Sequence, residues 1–315
     1  MKNFVTNKIK NCRVLVIGDA MLDKYYFGEV TRISPEAPVP INHVTKIKEQ
    51  LGGAANVAHN LALLGCQTSL IAQIGLEVHG DTLTEKLISR GIDISGVVKT
   101  DKPTTTKIRV IGGNQQMIRL DFEDISNIDA EKILPKITAR VPNVDAVIIS
   151  DYGKGVCTEN ICREIISLCR AQNKIVVVDP KGDDWQKYSG ANFITPNLKE
   201  LNAVLPKKIA NVDAAVENAA RFVIEKFNLE GLVVTRSAEG LSVIDGEKVS
   251  HIRAKAQEVF DVSGAGDTVI AVFTLGLAGK LDSEMAAYLA NVAAGVVVAK
   301  VGTYAVSREE LLNVL

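Results

Sequence analysis

RVLVIGD, residues 13–19, has no polar side chain between Arg13 and Asp19. A strand that is apolar at every position has no face to offer to water, so it must be covered on both sides. Comparable runs return at TSLIAQIG (68–75), DAVIISD (145–151), KIVVVDP (174–180), NFIT (192–195) and LVVTRS (232–237), with helix-length segments between most of them. Strands buried on both faces and alternating with helices predict a three-layer α/β/α domain around a mostly parallel sheet. Right-handed crossovers carry the loops of interest to the carboxyl ends of the strands. Asp19, Asp151, Asp179, Asn197 and Arg236 each end or follow a strand, so polar groups gather at that edge.

Two segments break the rhythm. Residues 24–48 (KYYFGEVTRISPEAPVPINHVTKIK) and 104–123 (TTTKIRVIGGNQQMIRLDFE) alternate apolar with polar, the second around Gly112-Gly113-Asn114. That pattern belongs to half-exposed antiparallel strands and predicts a small accessory sheet beside the main one, either a lid over the strand ends or a dimer surface. No repeat or low-complexity linker divides the 315 residues, which read as a single domain, 1–315. The ending SREELLNVL has no tail and suggests a piece of a longer parent.

With 36 basic against 37 acidic residues the net charge is −1, which points to neither nucleic acid nor a membrane surface, so any basic site must be local. The N-terminus lacks a signal-type apolar core, and the apolar stretch 286–299 is too short to span a bilayer, so a cytoplasmic protein is expected. Cys12, Cys66, Cys157, Cys162 and Cys169 form no C-x-x-C pair and read as reduced thiols. The four histidines lack metal-ligand spacing.

The chemistry concentrates at DVSGAGD, 261–267, between an apolar, strand-like Glu258-Val259-Phe260 and an apolar, helix-like run from Thr268 to Leu277. A helix starting at Gly264 would aim the amides of Gly264, Ala265 and Gly266 into the space before it, aided by the helix dipole. Asp267, in the first turn, could take a proton from a hydroxyl held at the same place. An anion hole beside a carboxylate base suits phosphoryl transfer to an alcohol, although a lone G-A-G is more often a packed helix cap. No G-x-x-x-x-G-K-[ST] accompanies it, since GLAGKLDS (276–283) has the wrong spacing, and no strand is followed by G-x-G-x-x-G.

GGAANVAHNLALLG (52–65) and DVSGAGDTVIA (261–271) resemble the two signatures of the ribokinase-type (PfkB) carbohydrate kinases, with GDAMLD (18–23), TPNLKE (195–200) and TRSAEG (235–240) in that family's order. Within it, residues 18–40, NQQMIRLDFE (114–123), SDYGKG (150–155) and DPKG (179–182) resemble the D-glycero-β-D-manno-heptose 7-phosphate kinases, which form heptose 1,7-bisphosphate for lipopolysaccharide core and are often fused to a nucleotidyltransferase. One departure is Val272, where the family keeps a small residue.

The resemblance implies ATP and Mg²⁺ as partners in catalysis, K⁺ near Asp261 with carbonyls around Gly302, a sugar phosphate as substrate, a homodimer, and no nucleic acid or membrane contact. It implies Asp267 as general base with Gly264, Ala265 and Gly266 as anion hole. Asp19, Asp23, Gly52, Gly53, Asn56 and Asp151 would face the sugar, and Lys107, Arg109, Arg119, Lys154 and Lys181 are the cations available for its phosphate. Asn197, Leu198, Lys199, Glu200, Thr235, Gly240 and Asn291 would line the nucleotide. For Asn197 and Glu200 a helix-capping box is an equally good reading, and for Asn291 a helix-packing amide. A kinase of the same fold for another sugar phosphate or a nucleoside shares these features, and a non-catalytic sugar or nucleotide sensor is the alternative of another class.

Overall fold

The computed structural model describes residues 1–113, 115–254, 259–300 and 302–315. Numbered along the chain, the main sheet consists of β1 (Arg13–Gly18), β4 (Gln67–Ile71), β9 (Ala146–Ser150), β10 (Ile175–Asp179), β11 (Phe193–Ile194), β12 (Gly231–Thr235), β13 (Leu241–Asp245) and β14 (Lys248–Ile252). Its order is β14-β13-β12-β11-β10-β9-β1-β4. Every pairing from β4 to β12 is parallel, and β13 and β14 close one edge antiparallel. A second sheet of β2 (Ala20–Ile33), β3 (Pro40–Gly53), β7 (Thr106–Gly112) and β8 (Gln115–Phe122) has the order β3-β2-β7-β8. The pair β5 (Gln73–Gly75) and β6 (Val98–Thr100) stands apart.

The apolar strands split their side chains between two cores with period two. Val14 and Val16 of β1 enter one core and Leu15 and Ile17 the other, and Ala146 and Ile148 of β9 oppose Val147 and Ile149 in the same way. Helices α1 (Ala54–Leu63), α2 (Val78–Ser89), α7 (Ala265–Ala278), α8 (Ser283–Val297) and α9 (Arg308–Val314) cover the first face. The second is covered by α3 (Ala130–Arg140), α4 (Glu159–Ala171), α5 (Leu198–Val204) and α6 (Asp213–Lys226). Each fully buried Val, Leu or Ile contributes about 1.5–3 kcal/mol, which makes these strands the rigid frame for the loops at their ends. Val272 lies fully buried in α7, so the departure from a small residue is absorbed by the first core.

Three sequence expectations change. The run 68–75 is broken after Ile71, and its second half pairs with β6 instead of continuing the main sheet. The hairpin β13–β14 was not anticipated, although Asp245-Gly246 is a turn signal, with Gly246 at φ 56°. Val259 and Phe260 are exposed and form no strand, and Glu258 lies outside the described residues, as does Asn114 of the expected 112–114 turn. The five cysteines are buried and free. Among the described residues no helix is long and apolar enough to cross a membrane.

The small sheet grows from the carboxyl edge of the main one. β2 begins two residues after β1 ends, and β3 ends directly on α1. Gly53 makes that junction at φ 56°, and a Cβ there would lie 2.4 Å from the Asp19 carbonyl and 2.8 Å from Met21 Cε. Gly53→Ala therefore combines left-handed strain with a backbone clash and should lower stability by about 2–4 kcal/mol, read as a drop in the denaturation midpoint. An unchanged midpoint would mean that the junction relaxes freely.

Candidate active site

Helix α7 opens on a turn that Asp261 clamps, its Oδ1 accepting the Ser263 amide at 2.9 Å and its Oδ2 the Gly302 amide at 2.8 Å. These donors hold the Asp261 carboxylate below its ordinary pKa despite partial burial, which acts in the opposite direction. Gly264 is the N-cap, left-handed at φ 80°, and no side chain caps the helix. The Ala265 amide donates to the Val262 carbonyl at 3.2 Å, so the turn uses one of the three amides expected to form the anion hole. The amides of Gly264 and Gly266 have no acceptor among the described residues. A Cβ on Gly266 would meet nothing within 4 Å, so open space lies before the helix.

Asp267 faces that space from the first turn and is 3% exposed. Asn56 Nδ2 donates to its Oδ2 at 2.7 Å, and the Tyr152 hydroxyl donates to its Oδ1 at 2.6 Å. Burial pushes its pKa up to about 6, against the two donors and nearby Lys107, which lower it, while Asp23 raises it further. A carboxylate at that value is ionised at neutral pH and basic enough to take a proton from a hydroxyl in the transition state. Asn56 is fully buried, and its Oδ1 has no hydrogen-bond partner among the described residues. It is fixed on α1, where Asn60 Nδ2 donates to the Asn56 carbonyl at 2.9 Å and Asn60 Oδ1 accepts from the Thr268 hydroxyl of α7 at 3.1 Å.

The remaining sugar-side acids divide by what they already hold. Asp19 accepts the backbone amides of Tyr152 (2.8 Å), Lys154 (2.9 Å) and Val156 (3.0 Å), and so staples the loop after β9. Asp151 accepts from Lys187 Nζ (2.5 Å), the Tyr188 hydroxyl (2.6 Å) and the Gly153 amide (2.7 Å), so it too is spent within the protein. Lys187 and Tyr188 carried no sequence signal for this. Asp23, on β2, is 3% exposed and pairs with Arg109 Nη1 at 2.5 Å. Gly52 lies against it, since a Cβ there would sit 2.4 Å from Asp23 Oδ2.

Strand register places Lys107 opposite Asp121 and Arg109 opposite Arg119, as the hairpin reading expects. Their charges are not equally available. Arg109 is held by Asp23, Arg119 by Asp121 on its own strand at 2.8 Å, and Lys154 by Glu123 at 2.7 Å. Lys107 is half-buried, burial lowers its pKa, and it makes no ion pair among the described residues. Lys181 is exposed.

On the other side of the mouth, Asn197 and Glu200 form a complete capping box on α5, with Glu200 Oε2 accepting the Asn197 amide and Asn197 Oδ1 the Glu200 amide, both at 2.9 Å. Leu198 and Lys199 are the first residues of that helix, and Asn197 bridges Thr235 at the end of β12. Gly240 is required by the fold itself, at φ 84° with a Cβ position 2.0 Å from the Ile252 carbonyl. Asn291 donates to the Arg253 carbonyl at 2.8 Å, a satisfied packing amide. Asp179 ends β10 between these groups. Burial, then Glu200, Asp267 and Asp151, hold its carboxyl well above the ordinary range, with only Lys181 opposing.

A parallel sheet flanked by helices, a small sheet over its carboxyl edge, and a buried carboxylate at an uncapped helix mouth define the ribokinase-like class of sugar kinase. The chain belongs to the pfkB family carbohydrate kinases, whose sequence profile matches residues 12–310, and it is an ATP-dependent sugar kinase. It is 44% identical over 314 residues to a protein named Bifunctional protein HldE from Desulfatibacillum aliphaticivorans, and 43% identical over 310 residues to the protein of that name from Haemophilus influenzae. Each alignment covers 98% of this chain and 64% of the relative, so the chain spans just under two thirds of their length. Among solved structures, phosphofructokinase-2 from Escherichia coli in complex with potassium superposes with a TM-score of 0.80 at 19% identity, covering 96% of this chain and 98% of that one. Ribokinase from Thermotoga maritima superposes with a TM-score of 0.76 at 20% identity, covering 96% and 99%.

The stapling role of Asp19 is open to test. Asn offers one acceptor oxygen to three amides and turns its own NH₂ toward donors, so Asp19→Asn should destabilise the fold by about 1–3 kcal/mol and speed hydrogen exchange at residues 152, 154 and 156. A variant of unchanged stability and exchange that had lost only sugar affinity would restore Asp19 to the sugar.

Proposed function

We propose that this chain transfers the γ-phosphoryl group of ATP to the anomeric hydroxyl of D-glycero-β-D-manno-heptose 7-phosphate. The product, heptose 1,7-bisphosphate, would serve ADP-heptose and lipopolysaccharide core synthesis. The observation that carries the chemistry is Asp267, buried at the mouth of α7 beside the amides of Gly264 and Gly266, which have no acceptor among the described residues. In this reading Asp267 takes the proton of the sugar hydroxyl, the hydroxyl oxygen bonds to the γ-phosphorus, and the bond from that phosphorus to ADP breaks. The amides and the positive end of the helix stabilise charge on the phosphoryl oxygens. Asn56 Oδ1, a buried acceptor without a donor among the described residues, suits a second sugar hydroxyl.

The heptose is supported by the motifs at 18–40, 114–123, 150–155 and 179–182 and by the relatives named HldE. Their description as bifunctional supports reading this chain as the kinase part of a longer enzyme with a nucleotidyltransferase. For the sugar phosphate, Lys107, half-buried and without an ion pair among the described residues, is the best placed of the five cations, with Lys154 near it. Arg109 and Arg119 would need to leave carboxylates to take part.

Residues 1–315 act as one kinase domain, in which the β3-β2-β7-β8 sheet is the lid. Gln50 of β3 ties that sheet to the α7 mouth by donating to the Thr303 carbonyl at 3.0 Å. Exposed Ile47, Ile118, Leu120 and Phe122 on the same sheet support a homodimer, and ATP as donor supports a cytoplasmic enzyme. The nucleotide would lie along the α5 start, Thr235 and Gly240. A magnesium ion fits on the side of Asp179 and Glu200, two carboxyls whose pKa values are raised by burial and which Lys181 and Lys199 oppose, and it would neutralise phosphate charge there. A monovalent cation would be held by the ionised Asp261 and would add positive charge to the same helix mouth; Val301, beside Gly302, lies outside the described residues.

A coupled ADP-release assay tests the reading with heptose 7-phosphate and the unphosphorylated heptose side by side. Activity should rise with pH through about 6 as Asp267 loses its proton, and fall below it. Asp267→Asn should lower turnover by roughly two to four orders of magnitude. Measured above pH 8, where Asp267 stays ionised without Lys107, Lys107→Met should cost about tenfold to a hundredfold in kcat/KM for the phosphorylated sugar alone, and Arg119→Ala no more than about threefold. Near-normal turnover by Asp267→Asn, or equal losses on both sugars with Lys107→Met, would refute the assigned roles.

A further inference from the structure

We propose that Tyr152 is a positioning residue for phosphoryl transfer, its hydroxyl fixing the Asp267 carboxylate so that a lone pair faces the acceptor hydroxyl. The inference rests on Asp267 being the base. No motif reading singled out this tyrosine, although SDYGKG contains it.

The geometry is built from both ends of the side chain. At the backbone, Asp19 accepts the amides of Tyr152, Lys154 and Val156, while Gly153 at φ 67° and Gly155 at φ 97° let the loop turn tightly enough to present all three. The ring lies against the β3–α1 junction, where a Cβ on Gly53 would come 3.4 Å from Tyr152 Cδ2. The hydroxyl then reaches Asp267 Oδ1 at 2.6 Å while Asn56 holds Oδ2 at 2.7 Å. Donors on both oxygens, one from α1 and one from the loop after β9, block rotation of the carboxylate. Each oxygen keeps a lone pair for the substrate. Asp19 thereby acts on catalysis at one remove, by holding the loop that holds the tyrosine.

The same bond bears on ionisation. Asp267 is faced by Asp23 from β2, Lys107 from β7, Asp179 from the end of β10, Asn56 from α1 and Tyr152, beside the positive end of its own helix. The phenol, raised well above its ordinary value by burial and then by Asp267, stays protonated and donates at every working pH. Removing it would leave burial and Asp23 opposed only by Asn56 and Lys107, so the carboxyl would hold its proton to higher pH.

Tyr152→Phe keeps the ring and deletes the donor. The acid limb of kcat/KM for heptose 7-phosphate should move up by about one unit, a loss of about fivefold near pH 6 that is regained above pH 8, with about a further twofold from lost positioning at all pH values and ATP KM unchanged. A ring-fluorinated tyrosine at 152, a stronger donor of nearly the same shape, should shift the limb the other way by a few tenths of a unit. A Phe profile that superimposes on the wild type, or a loss equal at all pH values, overturns the proposal; so would a fluorinated variant that shifts nothing. Failure of the base assignment would look different: Asp267→Asn would itself keep turnover, whatever Tyr152→Phe does.

Discussion

The site depends on one constraint, a carboxylate kept ionisable inside a fold that would otherwise neutralise it. Burial favours the protonated form of Asp267, and two hydrogen bonds from separate elements draw its pKa back to about 6. Meeting that constraint requires three parts of the chain to converge within ångströms: the start of α7, the first turn of α1, and the loop after β9. The main sheet makes this possible because β1 and β9 are adjacent and parallel, so their carboxyl ends, and the segments that leave them, lie at the same edge.

Acids at that edge serve two purposes that residue type does not distinguish. Asp19, Asp151 and Asp261 accept backbone amides, and Asp151 also the half-buried Lys187 and the buried Tyr188, so all three shape loops. Asp267, Asp179 and Asp23 are left facing one another across the mouth, with Lys107 and Arg109 as local countercharges. A neutral chain can thus hold polyanionic substrates, since cations are needed only where the acids are not already matched.

The strand runs were legible because each is apolar on both faces, and a strand of that composition fits only the middle of a covered sheet. The capping box at Asn197 and Glu200 was legible for the same local reason, a spacing of three residues across a helix start. What stayed hidden was set by partners distant in sequence. Nothing near Asp19 announces that amides some 133 to 137 positions later will fill its oxygens. Register puts Arg119 across from Arg109, yet only the folded chain shows each arginine already held by a carboxylate while Lys107, among the described residues, is not. Tyr152 gave no signal because a loop tyrosine is ordinary until its hydroxyl is seen on Asp267.

The central claim joins a reaction to a position on the sugar, and phosphorus-31 NMR of the product reads both at once. With ATP and D-glycero-β-D-manno-heptose 7-phosphate, the account predicts one ADP per turnover and a second phosphomonoester signal split by the anomeric proton. A new phosphate on any other carbon, or ADP formed with inorganic phosphate and no bisphosphate, would contradict it.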